Sequence, residues 1–157
     1  MYRKILVPLD GSKHAECVLP YVKSLASDLK DPEIILLRVC EPPVILADYP
    51  PDLHTEWDDH VRQETAHIQQ QCRLYLDGTE QNLIQAGLKV RTDSRLGKAP
   101  EEIIDYAIQN QVDLIIIASH GSSGITRWAY GNTANRVLQA STIPVMIIRP
   151  EECKASK

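Results

Sequence analysis

The sequence predicts an α/β protein built on an open, doubly wound, five-stranded parallel sheet with helices on both faces. Three observations carry that expectation. Short apolar runs rich in β-branched residues recur at Ile5–Val7, Ile34–Leu37, Leu114–Ile117 and Val145–Ile148, and such runs suit strands covered on both faces. Longer connections separate the strands, so successive strands run parallel through crossovers. Finally, the run after Ile117 is punctuated by Gly121, Gly124 and Gly131 before a helical pattern begins, which is how a strand turns into a helix at the ligand-facing edge of such a sheet.

The first strand, Ile5, Leu6, Val7 and Leu9, ends in Pro8-Leu9-Asp10-Gly11-Ser12. Ser12 is placed to cap a helix whose apolar face is Ala15, Val18, Leu19, Val22, Leu25, Ala26 and Leu29, a good fit to the helical period. Pro20 falls inside it. A proline there removes a backbone donor and should kink the helix or delay its regular part, at about 3 kcal/mol unless packing adjusts. Asp10 stands at the C-terminal end of its strand, where open α/β sheets bind ligands. Its position before Gly11 suits a plain turn aspartate equally well.

Glu33 to Cys40 reads as the second strand. Glu41 to Asp52 contains Pro42, Pro43, Pro50 and Pro51 and reads as a long loop, either a simple connection or a flap over a ligand. Thr55 to Ala86 keeps a helical period as one long covering helix, and Gly87 should end it. Leu88 to Arg95 alternates like a half-exposed edge strand. Gly97-Lys98-Ala99-Pro100 then starts a helix, with Pro100 near its first position, Glu101 and Glu102 in the first turn, and Ile103, Ile104, Ala107 and Ile108 as its apolar face. The last strand, Val145, Met146, Ile147 and Ile148, is apolar throughout and fenced by Pro144 and Pro150. An apolar strand at a sheet edge usually finds a partner.

At 157 residues the chain suits one domain, expected over 1–150, with a tail at 151–157. A formal net charge of −4 argues against a general nucleic-acid or anionic-membrane surface. No apolar run approaches membrane-spanning length, and Met1-Tyr2-Arg3-Lys4 leads into a strand without a cleavage-site pattern, so cytoplasm is the expected location. Cys17, Cys40, Cys72 and Cys153 fall one per segment with no Cys-x-x-Cys pair. They are expected to be reduced, with neither a zinc site nor a disulfide framework. His60 and His67 are seven apart and could share a helix face, but a metal needs further ligands at matching spacing, so none is expected.

The glycine-punctuated stretch carries the chemistry. A turn of this kind feeding a helix that begins at Asn132 points backbone N–H groups and a partial positive charge at one spot, as a phosphate requires. It lacks the Gly-Lys-Ser/Thr of a Walker loop and does not match Gly-x-Gly-x-x-Gly. On spacing alone, an anion site and a plain turn both fit.

The stretch resembles the signature of the universal stress protein family, Gly-x2-Gly-x9-Gly-Ser/Thr, which wraps the phosphates and ribose of ATP. The second and third glycines fall on Gly121 and Gly131, the first is replaced by Ala118, and the Ser/Thr by Asn132 with Thr133 one step later. Alanine leaves room for a ligand, and asparagine can cap a helix and donate a hydrogen bond. Pro8-Leu9-Asp10-Gly11-Ser12 is similar to the family's Pro-x-Asp-Gly-Ser after the first strand. The resemblance implies a sheet order of 3-2-1-4-5, with Pro8 and Asp10 near the adenosine, Val39 against the adenine, Gly97 near the adenosine, and Ala118, Gly121, Ser122, Gly131, Asn132 and Thr133 around the phosphates. Arg127 would add charge there or stand as a surface arginine.

By the same resemblance, Val145 to Ile148 of two subunits pair into a homodimer. The function it implies is a cytoplasmic stress protein that holds ATP, with or without Mg²⁺, and acts through its dimer on a protein partner the sequence does not name. Two alternatives stay open: a dimer that has lost the nucleotide, and a weak ATPase. Ser119-His120 offers a nucleophile and a base in principle, although adjacent residues rarely face each other productively.

Overall fold

The computed structural model describes residues 2–42, 54–120 and 131–149. Its elements run β1 (Lys4–Pro8), α1 (Lys13–Glu16), α2 (Leu19–Ser27), β2 (Glu33–Cys40), α3 (His54–Gln85), β3 (Lys89–Leu96), α4 (Ala99–Gln109), β4 (Leu114–Ala118), α5 (Asn132–Ala140) and β5 (Val145–Ile148). The five strands form one sheet in the order β3-β2-β1-β4-β5, with every pairing parallel. This is the expected order. Because β1 lies between β2 and β4, the connections leaving β1 and β4 diverge to opposite faces and open a crevice at their C-terminal ends.

The all-apolar strands bury both faces. Ile5, Val7, Ile34, Leu36, Leu114 and Ile116 pack with Val18, Val22, Leu76 and Leu83 from α2, α3 and the turn before α2. On the other face, Leu6, Ile35, Leu37, Ile115 and Ile117 pack with Ile103, Tyr106 and Ala107 of α4 and Ala134 and Val137 of α5. Strand β3 at the edge is only half covered, which accounts for its alternating sequence.

Several local expectations are refined. The helix after Ser12 is two helices: Ser12 caps α1, its hydroxyl accepting the Ala15 amide at 3.1 Å, and α2 restarts with Pro20 in its first turn. The chain thus puts the missing donor where no helical hydrogen bond is lost. Gly87 closes α3 at φ +82°; its amide donates to Ile84 and that of Leu88 to Leu83, a Schellman ending. On α4, Ile103 and Ala107 face the core as expected and Tyr106 joins them, while Ile108 is exposed.

The cysteines depart from expectation. Cys40 and Cys72 are joined in a disulfide, with Cα atoms 6.9 Å apart across a separation of 32 residues. Spacing could not reveal this, because the pair forms only when α3 lies over the end of β2. Cys17 is buried, and Cys153 lies outside the described residues. From residue 43, the connection read between Glu41 and Asp52 lies outside them too.

Candidate functional site

A cavity of about 300 Å³ opens at the C-terminal ends of β1, β2 and β4, within the size range of small-molecule sites. Each side has a sequence cause. The turn after β1 brings Pro8, Leu9 and Asp10; β2 contributes Leu37 and Val39; α4 contributes Ala99 and Ile103; β4 and its exit supply Ile117, Ala118, Ser119 and His120; and the start of α5 gives Asn132, Thr133 and Ala134 behind Gly131. The lining combines apolar residues such as Leu37, Val39, Ile103 and Ile117 with polar ones such as Asp10, Ser119, Asn132 and Thr133, a mixture that suits a flat heterocycle joined to a sugar or phosphate.

Asp10 is exposed, and its carboxylate accepts the Ser12 amide at 2.9 Å. That bond closes a turn through Gly11 at φ +87°, a backbone conformation open to glycine. Asp10 is therefore both a turn aspartate and a cavity residue. The two roles weighed from sequence are not exclusive.

Gly131, not Asn132, is the N-cap of α5, and it makes no side-chain capping bond. Asn132 is the first helical residue. Gly131 has no side chain to cap the first-turn amides, and that helix end lies at the cavity. The glycine is needed for close approach: its amide donates to the Ser119 carbonyl, and a Cβ on it would lie 2.8 Å from that oxygen. Ala118 ends β4 in the cavity wall.

Ser119 and His120 also line the cavity, and although they are adjacent in sequence their side chains meet. Both are buried, and Ser119 Oγ lies 3.1 Å from His120 Nδ1. The Ser119 amide donates to the Ile148 carbonyl at 2.8 Å, which ties the exit of β4 to β5 and turns the pair inward. Their place at the end of β4 was the available signal, more than their residue types.

Of the residues nominated from sequence, Pro8, Asp10, Val39, Ala118, Gly131, Asn132 and Thr133 meet at this cavity. Gly97 is not in its lining; its amide donates to the Cys40 carbonyl at 3.1 Å, at the turn into α4. Gly121, Ser122, Gly124 and Arg127 lie outside the described residues. Among the described residues, no three His, Cys, Asp or Glu side chains gather where a metal could be held, and no helix is long and apolar enough to cross a membrane.

The model of the universal stress protein family matches residues 1–149. The chain belongs to the universal stress protein family. Universal stress protein MJ0577 of Methanocaldococcus jannaschii is 28% identical over 156 residues, covering 95% of this chain and 96% of the relative. Its solved structure superposes with a TM-score of 0.80, over 95% and 96% of the two chains. Universal stress protein YxiE of Bacillus subtilis is 27% identical over 155 residues, covering 95% of this chain and all of the relative. A family protein of Arabidopsis thaliana, solved with AMP bound, shares the fold at TM-score 0.59 and 15% identity, over 94% of this chain and 91% of that one. The architecture is the adenine-nucleotide α-hydrolase-like fold of universal stress proteins, and the family's role is in stress response.

Proposed function

We propose that this universal stress protein binds an adenine nucleotide, ATP, in the cavity at the ends of β1, β2 and β4, and acts in the stress response as a cytoplasmic homodimer. The observation that carries the reading is the meeting of Asp10, Val39, Ala118, Gly131, Asn132 and Thr133 around one cavity, although they come from separate segments of the chain. Val39, Leu37 and Ile103 offer an apolar wall to adenine, and Asp10 an acceptor for hydroxyls of the ribose. The start of α5 offers backbone amides and dipole to the phosphates. Holding AMP, as the Arabidopsis protein of this fold does, requires the same mixture of apolar and polar surface.

For the dimer, β5 is the last strand of the sheet, and Met146 on it is exposed. An apolar edge is stabilised by a second copy that continues the sheet. The proposed unit is one domain over 1–150.

Calorimetric titration of nucleotide-stripped protein with ATP, with and without Mg²⁺, tests the reading. Saturable binding supports it. The absence of heat and of any thermal shift would replace it with the nucleotide-free dimer, and phosphate release above a mutant control would add an ATPase.

A further inference from the structure

The Cys40–Cys72 disulfide joins the cavity wall to the long covering helix. Cys40 is the last residue of β2, directly after Val39 of the cavity. Its carbonyl accepts the Gly97 amide at 3.1 Å, and Gly97 leads through the Lys98 cap into α4, which carries Ala99 and Ile103 to the same cavity. Cys72 lies well inside α3 and is buried. One covalent bond therefore reaches the β2 wall directly and the α4 wall through a single hydrogen bond.

The disulfide is not the sole link between α3 and the sheet. Leu76 and Leu83 of α3 are 1% and 0% exposed in the core. The Arg38 guanidinium also stacks over the Tyr75 ring at 4.8 Å, and the Tyr75 hydroxyl donates to Glu16 at 3.1 Å. A chain of this size with a core on both sheet faces has little call for a staple. In the cytoplasm proposed above, a disulfide is characteristically a transient, redox-sensing one.

We infer that Cys40 and Cys72 form a redox-modification site that controls the order of the cavity wall, with the disulfide state binding nucleotide more tightly; the binding half rests on the nucleotide reading above. In the oxidising direction, the two thiols give up two protons and two electrons to a low-molecular-weight disulfide such as oxidised glutathione. It departs as two thiols, by way of a mixed disulfide, and reduction reverses the exchange. Both cysteines are buried, so exchange proceeds through local opening of α3 from the end of β2. The closed bond fixes the end of β2 before the ligand arrives, and the reduced protein must order that wall on binding.

The expected coupling is roughly fivefold tighter ATP binding by the oxidised protein. Linkage is reciprocal, so saturating ATP should lower the midpoint potential of the pair by about 21 mV, the same factor on a two-electron couple. The test uses the full chain equilibrated in glutathione buffers, with alkylation and mass spectrometry to find a peptide linked through Cys40 and Cys72. Hydrogen exchange over 97–103 and ATP titration are then measured in each state and in Cys72→Ser. Support is a reversible linked peptide, slower exchange over 97–103 when oxidised, and tighter ATP binding that Cys72→Ser lacks. Failure of the linked peptide to form at any glutathione ratio, or equal ATP affinities in the two states, overturns the proposal. If ATP binds neither state, the nucleotide reading has failed; the exchange over 97–103 then decides, with a redox difference supporting control of the wall and none overturning it.

Discussion

The carbonyl oxygen of Ser119 lies 2.8 Å from where a Cβ on Gly131 would stand, and it accepts the Gly131 amide. The exit of β4 and the entry to α5 are thus in backbone contact at the cavity. Any side chain on Gly131 must push them apart, because the obstacle is backbone and not the tip of a flexible side chain. Gly131→Val is expected to lose on the order of 1–3 kcal/mol of stability and to abolish ATP binding while leaving the dimer intact. Denaturant melts, ATP titration and sedimentation of the variant check this. Unchanged ATP affinity would remove the start of α5 from the site.

Asp10 supports a second expectation. Its carboxylate holds the Ser12 amide at 2.9 Å, so Asp10→Ala removes both a candidate ligand group and the turn that aims it. Nucleotide affinity should fall roughly tenfold, the worth of a hydrogen bond to a charged group. Asp10→Asn keeps an oxygen for the turn and should lose less. Equal losses in the two variants would mean that the charge, rather than the turn, matters.

Much of this architecture was legible because burial on both faces leaves a plain mark. Ile34 to Leu37 and Leu114 to Ile117 are apolar at every position, and the structure buries every one of them. What stayed hidden depends on contacts between distant segments. Nothing near Cys40 or Cys72 announces the other. The inward turn of Ser119 and His120 follows from a hydrogen bond to Ile148, far along the chain. The start of α5 at Asn132 was legible, but its capping residue is Gly131, where the close approach to the Ser119 carbonyl selects glycine.

Tyr106 provides a test of packing against polarity. It is 1% exposed, and among the described residues its hydroxyl makes no well-formed hydrogen bond, although the Asp93 carboxylate lies near it. Burial, followed by the nearby Asp93 charge, pushes its pKa up to about 12. A buried hydroxyl without a well-formed hydrogen bond costs stability, so Tyr106→Phe should leave the melting temperature unchanged or raise it. The folded state keeps the phenol protonated longer than the unfolded chain does, so its contribution is full below about pH 10 and is lost as pH rises toward 12. The phenylalanine variant should therefore lose less stability across that window. A melting temperature several degrees lower at neutral pH would mean that the hydroxyl has a partner after all.

Asp113 ties the start of β1 to the start of β4. Its carboxylate accepts the amides of Lys4 and Arg3, each at 2.9 Å, and the Lys4 bond, followed by that of Arg3, holds its pKa below the usual carboxylate range. With the folded pKa depressed, the contribution is full above the unfolded value of about 3.9 and is lost as pH falls through the folded one. Asp113→Ala should therefore be less stable than the parent at pH 7, and the gap should narrow as pH drops below about 4. Parallel stability curves over that range would contradict this reading.

The β5 edge distinguishes two residues that look alike in sequence. Met146 and Ile148 share one face of the strand, but Ile148 is 6% exposed within the protein's own core and Met146 is 37% exposed. A charge at Ile148 would damage the fold and say nothing about assembly. Met146→Lys leaves the core untouched and, in a dimer paired through β5, would place an ammonium in the interface. Burying that group without a partner costs on the order of 2 kcal/mol, so the dimer dissociation constant should rise about thirtyfold, with the melting temperature at high dilution unaffected. Sedimentation of parent and variant over a concentration series measures both. A parent that stays monomeric at every concentration would leave β5 as an ordinary edge strand, and a variant that dimerises as well as the parent would move the interface to another face.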